Sequence, residues 1–369
     1  MNVLHVCWDL GQGGIQRYLI DLLTAHKQTF RSSLMVLSSP GALSAEAAEL
    51  CNRVDYIGMK NGLSMRAFVP ILKVLRTGDH DIIHSHSHNV LFNIALQFQS
   101  KPVIYTEHGG SFLNKELGSL LLYKYLHSNI HRFVAISQYM ANLMCQRNSA
   151  IADRICVIHN GVDYDYIAYS GLREEVQLAR CDLPEGIKVG FIGRLTLDKG
   201  IDLFIEAAKR VNLSNPTVNF IVIGDGPAGE DMQALVREYN IEQRVFFLGY
   251  RKDARELIGA LDICLFTSRH EAFGLVLIES LASSVPVVAM AENSAVPEIL
   301  RDGIDGLIVK GLSPDKAAAC VNQLLSDPVL RKKMGEAGKE RVKRDFTIEN
   351  NAQRVAQEYL KLIADRTGG

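Results

Sequence analysis

The sequence predicts an α/β protein made of two doubly wound parallel sheets. Short apolar runs of strand length alternate with helical patterns along the chain. That alternation stops once, in a polar stretch with weak periodicity at residues 164–184, and then restarts. The 369 residues exceed one ordinary core and suit two domains of similar size. Strands separated by helices need crossover connections, so the expected sheets are parallel.

In order, strands are expected at 2–7, 31–37, 54–57, 81–84, 102–106, 133–136 and 156–159. A turn at Gly11, Gly13 and Gly14 leads into a helix over 15–26, and further helical patterns cover 65–76 and 138–145. Asn160-Gly161 ends this run. The 164–184 stretch carries a Gly and a Pro and reads as the linker, which gives a first domain of 1–165. Strands resume at 188–193, 218–223, 244–248, 262–266, 286–290 and 306–309, with helices such as 200–211, 231–239, 315–326 and 328–346. These make a second domain of 183–346. A last helix runs over 347–364, with Thr347 as N-cap and Glu349 in its first turn.

Composition narrows the class. Hydrophobic residues make up 47% and charged residues 22%, as in a globular protein. A net charge of −1 gives no argument for nucleic-acid binding. Seven scattered cysteines without a CxxC pair read as buried reduced thiols, which fits a reducing compartment. The start, MNVLHVCWDLGQGG, lacks the basic segment and long apolar stretch of a signal peptide. No apolar run approaches the roughly 20 residues of a membrane span. A cytoplasmic protein is expected.

The stretch 261–290, LDICLFTSRHEAFGLVLIESLASSVPVVAM, is the most informative. It reads as strand, loop, helix, strand, one βαβ unit. Leu275, Val276, Ile278, Leu281 and Ala282 recur at helical spacing. The preceding loop carries Ser268, Arg269, His270 and Glu271 and turns at Gly274; Glu279 follows Glu271 by eight residues. A fresh helix N-terminus at a strand's carboxyl end points backbone N–H groups at an anion. Carboxylates cannot bind that anion, but they accept O–H hydrogen bonds strongly and so suit hydroxyls on the same ligand. Phosphate in the middle with hydroxyls at both ends describes a nucleotide sugar.

Open α/β sheets bind ligands outside the carboxyl ends of their strands. If the two sets of ends face each other, one cleft lies between the domains. After the first strand, Gly11-Gln12-Gly13-Gly14-Ile15-Gln16-Arg17 is G-x-G-G with no third Gly in register, and Leu37-Ser38-Ser39 supplies no acid after the second strand. That is weak evidence for NAD. The loop reads equally as a tight turn or as backbone that a ligand approaches closely. In His84-Ser85-His86-Ser87-His88, alternation puts three imidazoles on one face if the strand continues. Only Asp81 lies near enough to complete a metal set, so polar packing at the sheet edge is expected instead. His108, in Tyr105-Thr106-Glu107-His108-Gly109-Gly110, follows a strand and is placed to hydrogen-bond a sugar hydroxyl or stabilise charge. Arg194 and Lys199, five residues apart after the first strand of the second domain, offer a guanidinium fork and a point charge to one diphosphate. The turns Ile223-Gly224-Asp225-Gly226-Pro227 and Leu248-Gly249-Tyr250-Arg251-Lys252-Asp253 can present backbone to a nucleotide, although on spacing alone both are ordinary strand-to-helix turns.

Taken together the motifs GQGGIQR, TEHG, VAIS, VIHNGVD, GRLTLDKGID, IGDGP, LGYRKD and EAFGLVLIE span nearly the whole chain. In this order they resemble the retaining glycosyltransferases of the two-Rossmann-domain (GT-B) type, group 1 and family 4. EAFGLVLIE is the most specific of them. The resemblance implies that Arg194 and Lys199 bind the donor diphosphate, that Glu271 contacts the donor sugar and that Glu279 holds the ribose. It places backbone at Phe273, Gly274, Leu275 and Val276 against the distal phosphate. It makes His108 the active-site histidine, brings Gly13 and Gly14 to the donor phosphates and sets Arg17 near the acceptor. It adds Gly224, Gly226 and Arg251 to the donor side, and a last helix (347–369) that crosses back onto the first domain. The chain departs from the family where relatives carry Gly-Gly after the strand ending at Met290; here Ala291-Glu292-Asn293-Ser294 follows. Ser283-Ser284 replace a small residue and Gly.

The implied reaction moves a sugar from a nucleotide diphosphate sugar, with uridine favoured over guanosine, to a hydroxyl of a glycan or lipid-linked acceptor, with retention. It needs no metal and no cofactor. Cell-surface polysaccharide or lipopolysaccharide synthesis is the expected setting. A hydrolysing nucleotide-sugar epimerase, a GDP-mannose-dependent mannosyltransferase and a noncatalytic nucleotide-binding module are the alternatives. The segment 112–133, with Lys115, Lys124, His127, His131 and Arg132, reads as a helix packed on its own sheet. It would also suit peripheral contact with an anionic membrane face, which lipid-linked acceptors would call for.

Overall fold

The computed structural model describes residues 1–62, 64–109, 127–169, 177 and 183–367. Most of the 112–133 segment lies outside them. The chain forms two compact units, Met1–Gly161 with Ile348–Gly369, and Val162–Thr347.

The first unit is a seven-stranded sheet: β1 (Asn2–Cys7), β2 (Arg31–Val36), β3 (Arg53–Tyr56), β4 (Ile82–Ser85), β5 (Val103–Glu107), β6 (Arg132–Ala135) and β7 (Ile155–Val157). Their order is β3-β2-β1-β4-β5-β6-β7 and every pair is parallel. The central strands β1, β4 and β5 are buried almost throughout, His5 and His84 included, as expected of a parallel sheet covered on both faces. One layer of core joins Val3, Ile82, Ile104 and Val134 to Val355, Tyr359 and Leu362 of the C-terminal helix Ile348–Thr367. That helix packs on this sheet although its sequence follows the second unit. Arg132 Nε reaches Glu358 at 3.0 Å, and His26 Nε2 lies 2.9 Å from the Ala352 carbonyl oxygen.

The second unit repeats the plan with β8 (Lys188–Ile192), β9 (Asn219–Ile223), β10 (Val245–Phe247), β11 (Ile263–Phe266), β12 (Val287–Ala291) and β13 (Gly306–Lys310). The order is β10-β9-β8-β11-β12-β13, again all parallel. Its core runs from Val189, Phe191 and Phe204 through Val288 and Met290 to Val321 and Met334. Strand ends differ from the sequence reading by one or two residues, because fraying at a ladder's end is set by the neighbouring strand.

In both sheets the strand order reverses beside the first strand, between β1 and β4 and between β8 and β11. These are the switch points where a crevice opens at the carboxyl edge. The loops after β1, β4, β8 and β11 therefore flank the two crevices.

Two sequence expectations change. The 164–184 linker is partly a helix, Tyr164–Ala168, capped by the Asp163 carboxylate accepting from Tyr166 N–H at 2.8 Å. It belongs to the second unit, and the chain crosses between units at 161/162 and 347/348. There Val162 N–H donates to the Phe346 carbonyl at 3.0 Å, so the two crossing segments lie side by side. The last helix begins at Ile348, directly after the expected N-cap residue Thr347. Ser284 sits at φ 60°, a left-handed conformation that favours the glycine carried by relatives. The carbonyl of Ser284 lies against Gly335, where an added Cβ would come within 2.1 Å of it. Close packing of the Pro328–Asp345 helix thus fixes this turn.

Candidate functional site

In the second unit the loop after β8 (Gly193–Gly200) folds onto the loop after β11. Arg269 makes a bidentate pair with Asp202 at 2.7 and 2.6 Å and also donates to the Leu197 carbonyl. Arg269 N–H donates to the Asp198 carbonyl at 2.9 Å, and the Thr267 hydroxyl donates to the Gly200 carbonyl at 2.8 Å. Gly200 has φ 69°, and a Cβ there would meet the Thr267 carbonyl oxygen at 2.0 Å. Only glycine allows that approach.

This clamp sets Lys199 Nζ 2.9 Å from Glu271 Oε2, with side chains 30% and 13% exposed. Glu271 lies against Gly274, where an added Cβ would come 3.3 Å from its Cγ. Gly274, at φ 95°, starts the Leu275–Ala282 helix, which has no side-chain cap and no acid in its first turn. Its N-terminal N–H groups and partial positive charge are open to an anion. Lys199, Glu271 and this helix end therefore come together. Arg194 is exposed on the same loop, and its guanidinium has no hydrogen-bond or ion partner among the described residues. Glu279 is nearly buried and pairs with Arg255 Nε at 2.9 Å. Phe273 is buried.

The segment that departs from the family supports this site. Ala295 N–H donates to the Glu271 carbonyl at 3.0 Å, and Glu271 bridges to Ser294. Asn293 takes φ 52° there, a left-handed position that its short amide side chain tolerates without glycine. The Gly224 turn is also close-packed, since a Cβ would meet the Gly193 carbonyl oxygen at 1.9 Å. Gly226 lies against Leu195 backbone. Arg251 forms a two-point pair with Asp253 at 2.8 and 2.7 Å.

In the first unit, Gly11 N–H and the Gln16 amide both donate to Asp9 Oδ1, at 2.7 and 2.9 Å, which shapes the glycine loop. Gly13 is the N-cap of the Gly14–His26 helix, and neither Gly13 nor Gly14 has positive φ. Arg17 pairs with Asp21 at 2.9 Å and Glu46 at 2.8 Å.

The histidines are arranged differently from the sequence reading. His84 and His86 do not sit at a sheet edge; β4 is central, and both are buried. His88 parts from them and packs on His127 and Tyr105. In its place comes His5, which β1–β4 register sets beside His84. Nitrogens of His5, His84 and His86 lie within 4.8 Å of one another. His84, however, has its Nδ1 2.5 Å from the Tyr359 hydroxyl and its Nε2 2.7 Å from the Thr106 hydroxyl, so both of its ring nitrogens are engaged. His108 is half-buried, 3.3 Å from His86, and Tyr18 packs edge-on against it. Burial lowers its pKa to about 4. Sequence reasoning misses His5 because one histidine in an apolar strand carries no pattern.

Six cysteines are free among the described residues, and burial raises the thiol pKa of Cys264 to about 11. Among those residues no helix is long and apolar enough to cross a membrane.

In comparison with known proteins, residues 183–341 match the family of glycosyl transferases group 1, and residues 12–166 match Glycosyltransferase Family 4. An uncharacterized glycosyltransferase of Methanocaldococcus jannaschii is 29% identical over 76% of each chain. The UDP-Gal:alpha-D-GlcNAc-diphosphoundecaprenol alpha-1,3-galactosyltransferase of Escherichia coli is 24% identical over 86% of this chain and 83% of its own. Among solved structures, Anabaena HepE in complex with UDP and glucose superposes with a TM-score of 0.81 at 23% identity, over 98% of this chain and all of that one. That likeness is one of fold, the GT-B type.

Proposed function

The chain belongs to the group 1 glycosyltransferases, and from that premise we propose that it transfers a sugar from a UDP-sugar to a hydroxyl of a glycan or lipid-linked acceptor, with retention at the anomeric carbon. One observation carries the reading: Lys199 and Glu271 meet beside the uncapped N-terminus of the Leu275–Ala282 helix. Cations and helix N–H groups beside a carboxylate suit a ligand that offers phosphate to the first two and hydroxyls to the third. The uridine in the Anabaena complex supports a uridine donor, and the lipid-linked acceptor named for the E. coli relative supports a similar acceptor class here.

In this reading Arg194, Lys199 and the amides from Phe273 to Val276 hold the diphosphate, and Gly13 and Gly14 are the donor-binding backbone positions of the first unit. Glu271 accepts from sugar hydroxyls and Glu279, held by Arg255, from the ribose. Gly224, Gly226 and Arg251 flank the nucleotide, and Arg17 lies toward the acceptor. His108 hydrogen-bonds the transferred sugar. The bond from the anomeric carbon to the β-phosphate oxygen breaks as the acceptor oxygen bonds to that carbon on the same face. The acceptor's proton passes to the departing phosphate oxygen. Charge on that oxygen is met by fixed groups whose geometry exists beforehand, the arrangement that lowers a barrier most.

Among UDP, GDP and ADP at equal concentration, UDP is expected to give the largest rise in melting temperature. Incubation with UDP-sugar should release UDP in step with glycosylated acceptor carrying the donor's anomeric configuration. Release of UDP with a free epimerised sugar, in the absence of acceptor, would establish the epimerase instead. Because Arg194, Lys199 and a helix end can meet the diphosphate charge, we expect turnover to survive a chelator undiminished; strict dependence on added divalent ion would remove this account of the leaving group.

A further inference from the structure

We propose that His5 and His86 are positioning residues that fix the tautomer of His108, so that His108 presents an Nδ1–H donor to the sugar. The proposal rests on the function above for its target, while the tautomer itself follows from geometry. His5 Nδ1 lies 3.2 Å from His86 Nε2, and His86 Nδ1 lies 3.3 Å from His108 Nε2. Three imidazoles thus run head to tail from the centre of the sheet to the half-buried His108. Burial lowers the pKa of His5 to about 3 and of His108 to about 4, and that of His86 far below its usual value. Each ring therefore carries one proton.

With one proton per ring, the direction at either end determines every bond between. His5 Nε2 is buried and has no hydrogen-bond partner among the described residues. A buried lone pair without a partner is tolerated more readily than a buried N–H without one. The proton of His5 then lies on Nδ1 and is donated to His86 Nε2. The proton of His86 lies on Nδ1 and is donated to His108 Nε2. The proton of His108 is left on Nδ1, which makes no hydrogen bond among the described residues. One nitrogen's bond sets which other nitrogen is protonated, here across two links.

The surroundings hold the chain of rings in place. His5 and His86 stack with planes 14° apart, and His86 and His108 with planes 29° apart. Tyr18 packs on both His86 and His108, and its hydroxyl donates to Asn351 of the C-terminal helix at 3.0 Å. His84, its ring tilted 38° against that of His86 with centroids 4.0 Å apart, is pinned by Tyr359 of the same helix. Two turns of that helix therefore brace the relay.

The test uses the full chain with 15N-labelled histidine, the His108 signals being identified by their loss in His108→Gln. In the unaltered protein Nδ1 of His108 is expected to give the protonated-type shift and Nε2 the bare-type shift. His5→Leu, which removes the first donor at similar volume, should turn His108 into a mixture of tautomers. It should also lower kcat about tenfold with the donor KM unchanged. His5→Asn, which keeps an N–H near the Nδ1 position, should restore both. A His108 proton on Nε2, or a His108 tautomer indifferent to His5→Leu, would overturn the proposal. If His5→Leu fails to fold, the shifts of the unaltered protein and of His5→Asn still decide it. Expected shifts in a protein that transfers no sugar would count against the function and leave the tautomer assignment standing.

Discussion

Lys199→Ala is expected to lower kcat/KM for sugar transfer by about 100- to 1000-fold, the usual cost of removing one fixed stabiliser of a developing oxyanion. Lys199 meets the departing phosphate in our reading, and its Nζ is already held 2.9 Å from Glu271. Removing it also leaves the Glu271 carboxylate, 13% exposed, without that partner. A fall in activity could then come from a displaced loop. Arg194→Ala separates the two causes, because the Arg194 guanidinium has no hydrogen-bond or ion partner among the described residues to lose. It should lower turnover while leaving the melting curve unchanged. Lys332→Ala, at a surface position 80% exposed and only 3.8 Å from Glu336, is the control and should do neither. Turnover in Arg194→Ala and Lys199→Ala equal to that of the control would remove the diphosphate assignment.

The first unit is expected to lose stability steeply as pH falls below about 6.5, while the second does not. Ten of the eleven histidines lie in the first unit, His270 being the exception. Nine of them have lowered pKa values, with desolvation by burial the largest cause in each case. Their folded values lie below the unfolded value near 6.5, so the unfolded chain takes up protons that the folded unit refuses. Stability is fully present above about pH 6.5 and is lost as pH falls toward the folded values, about 3 for His5 and His127 and about 4 for His108. A fully buried histidine contributes up to about 1.4 kcal/mol per pH unit between its unfolded and folded values. His5, His84 and His127, all 0% exposed, would together remove about 4 kcal/mol per pH unit. A domain's whole stability is only about 5–15 kcal/mol. The single tryptophan, Trp8, belongs to the first unit and reports it selectively. Urea midpoints followed by Trp8 fluorescence should fall sharply between pH 7.5 and 5.5. A midpoint constant over that range would show that these histidines are not buried neutral.

Some of this is legible locally. Strands β1, β9 and β12 announce themselves as apolar runs, and the Gly200 and Gly274 turns as punctuation between a strand and a helix. Periodicity and glycine placement act over a few residues, so a linear reading finds them. The Tyr164–Ala168 helix reads as linker in the sequence because five residues show too little periodicity to register. Asn293 and Ser284 stand out as departures from glycine; that both adopt left-handed backbone is a property of the fold around them.

The amino-acid order by itself determined that both sheets are parallel and which loops lie at their carboxyl edges, because parallel strands joined by helices have only one such edge. Which residues meet at that edge was decided by tertiary structure. Lys199 finds Glu271 only once β11 lies next to β8. His5 joins His86 and His108 only because β4, rather than β3, pairs with β1. Strand order and register bring together residues some eighty positions apart through hydrogen bonds between backbones, and those bonds leave no trace in local composition.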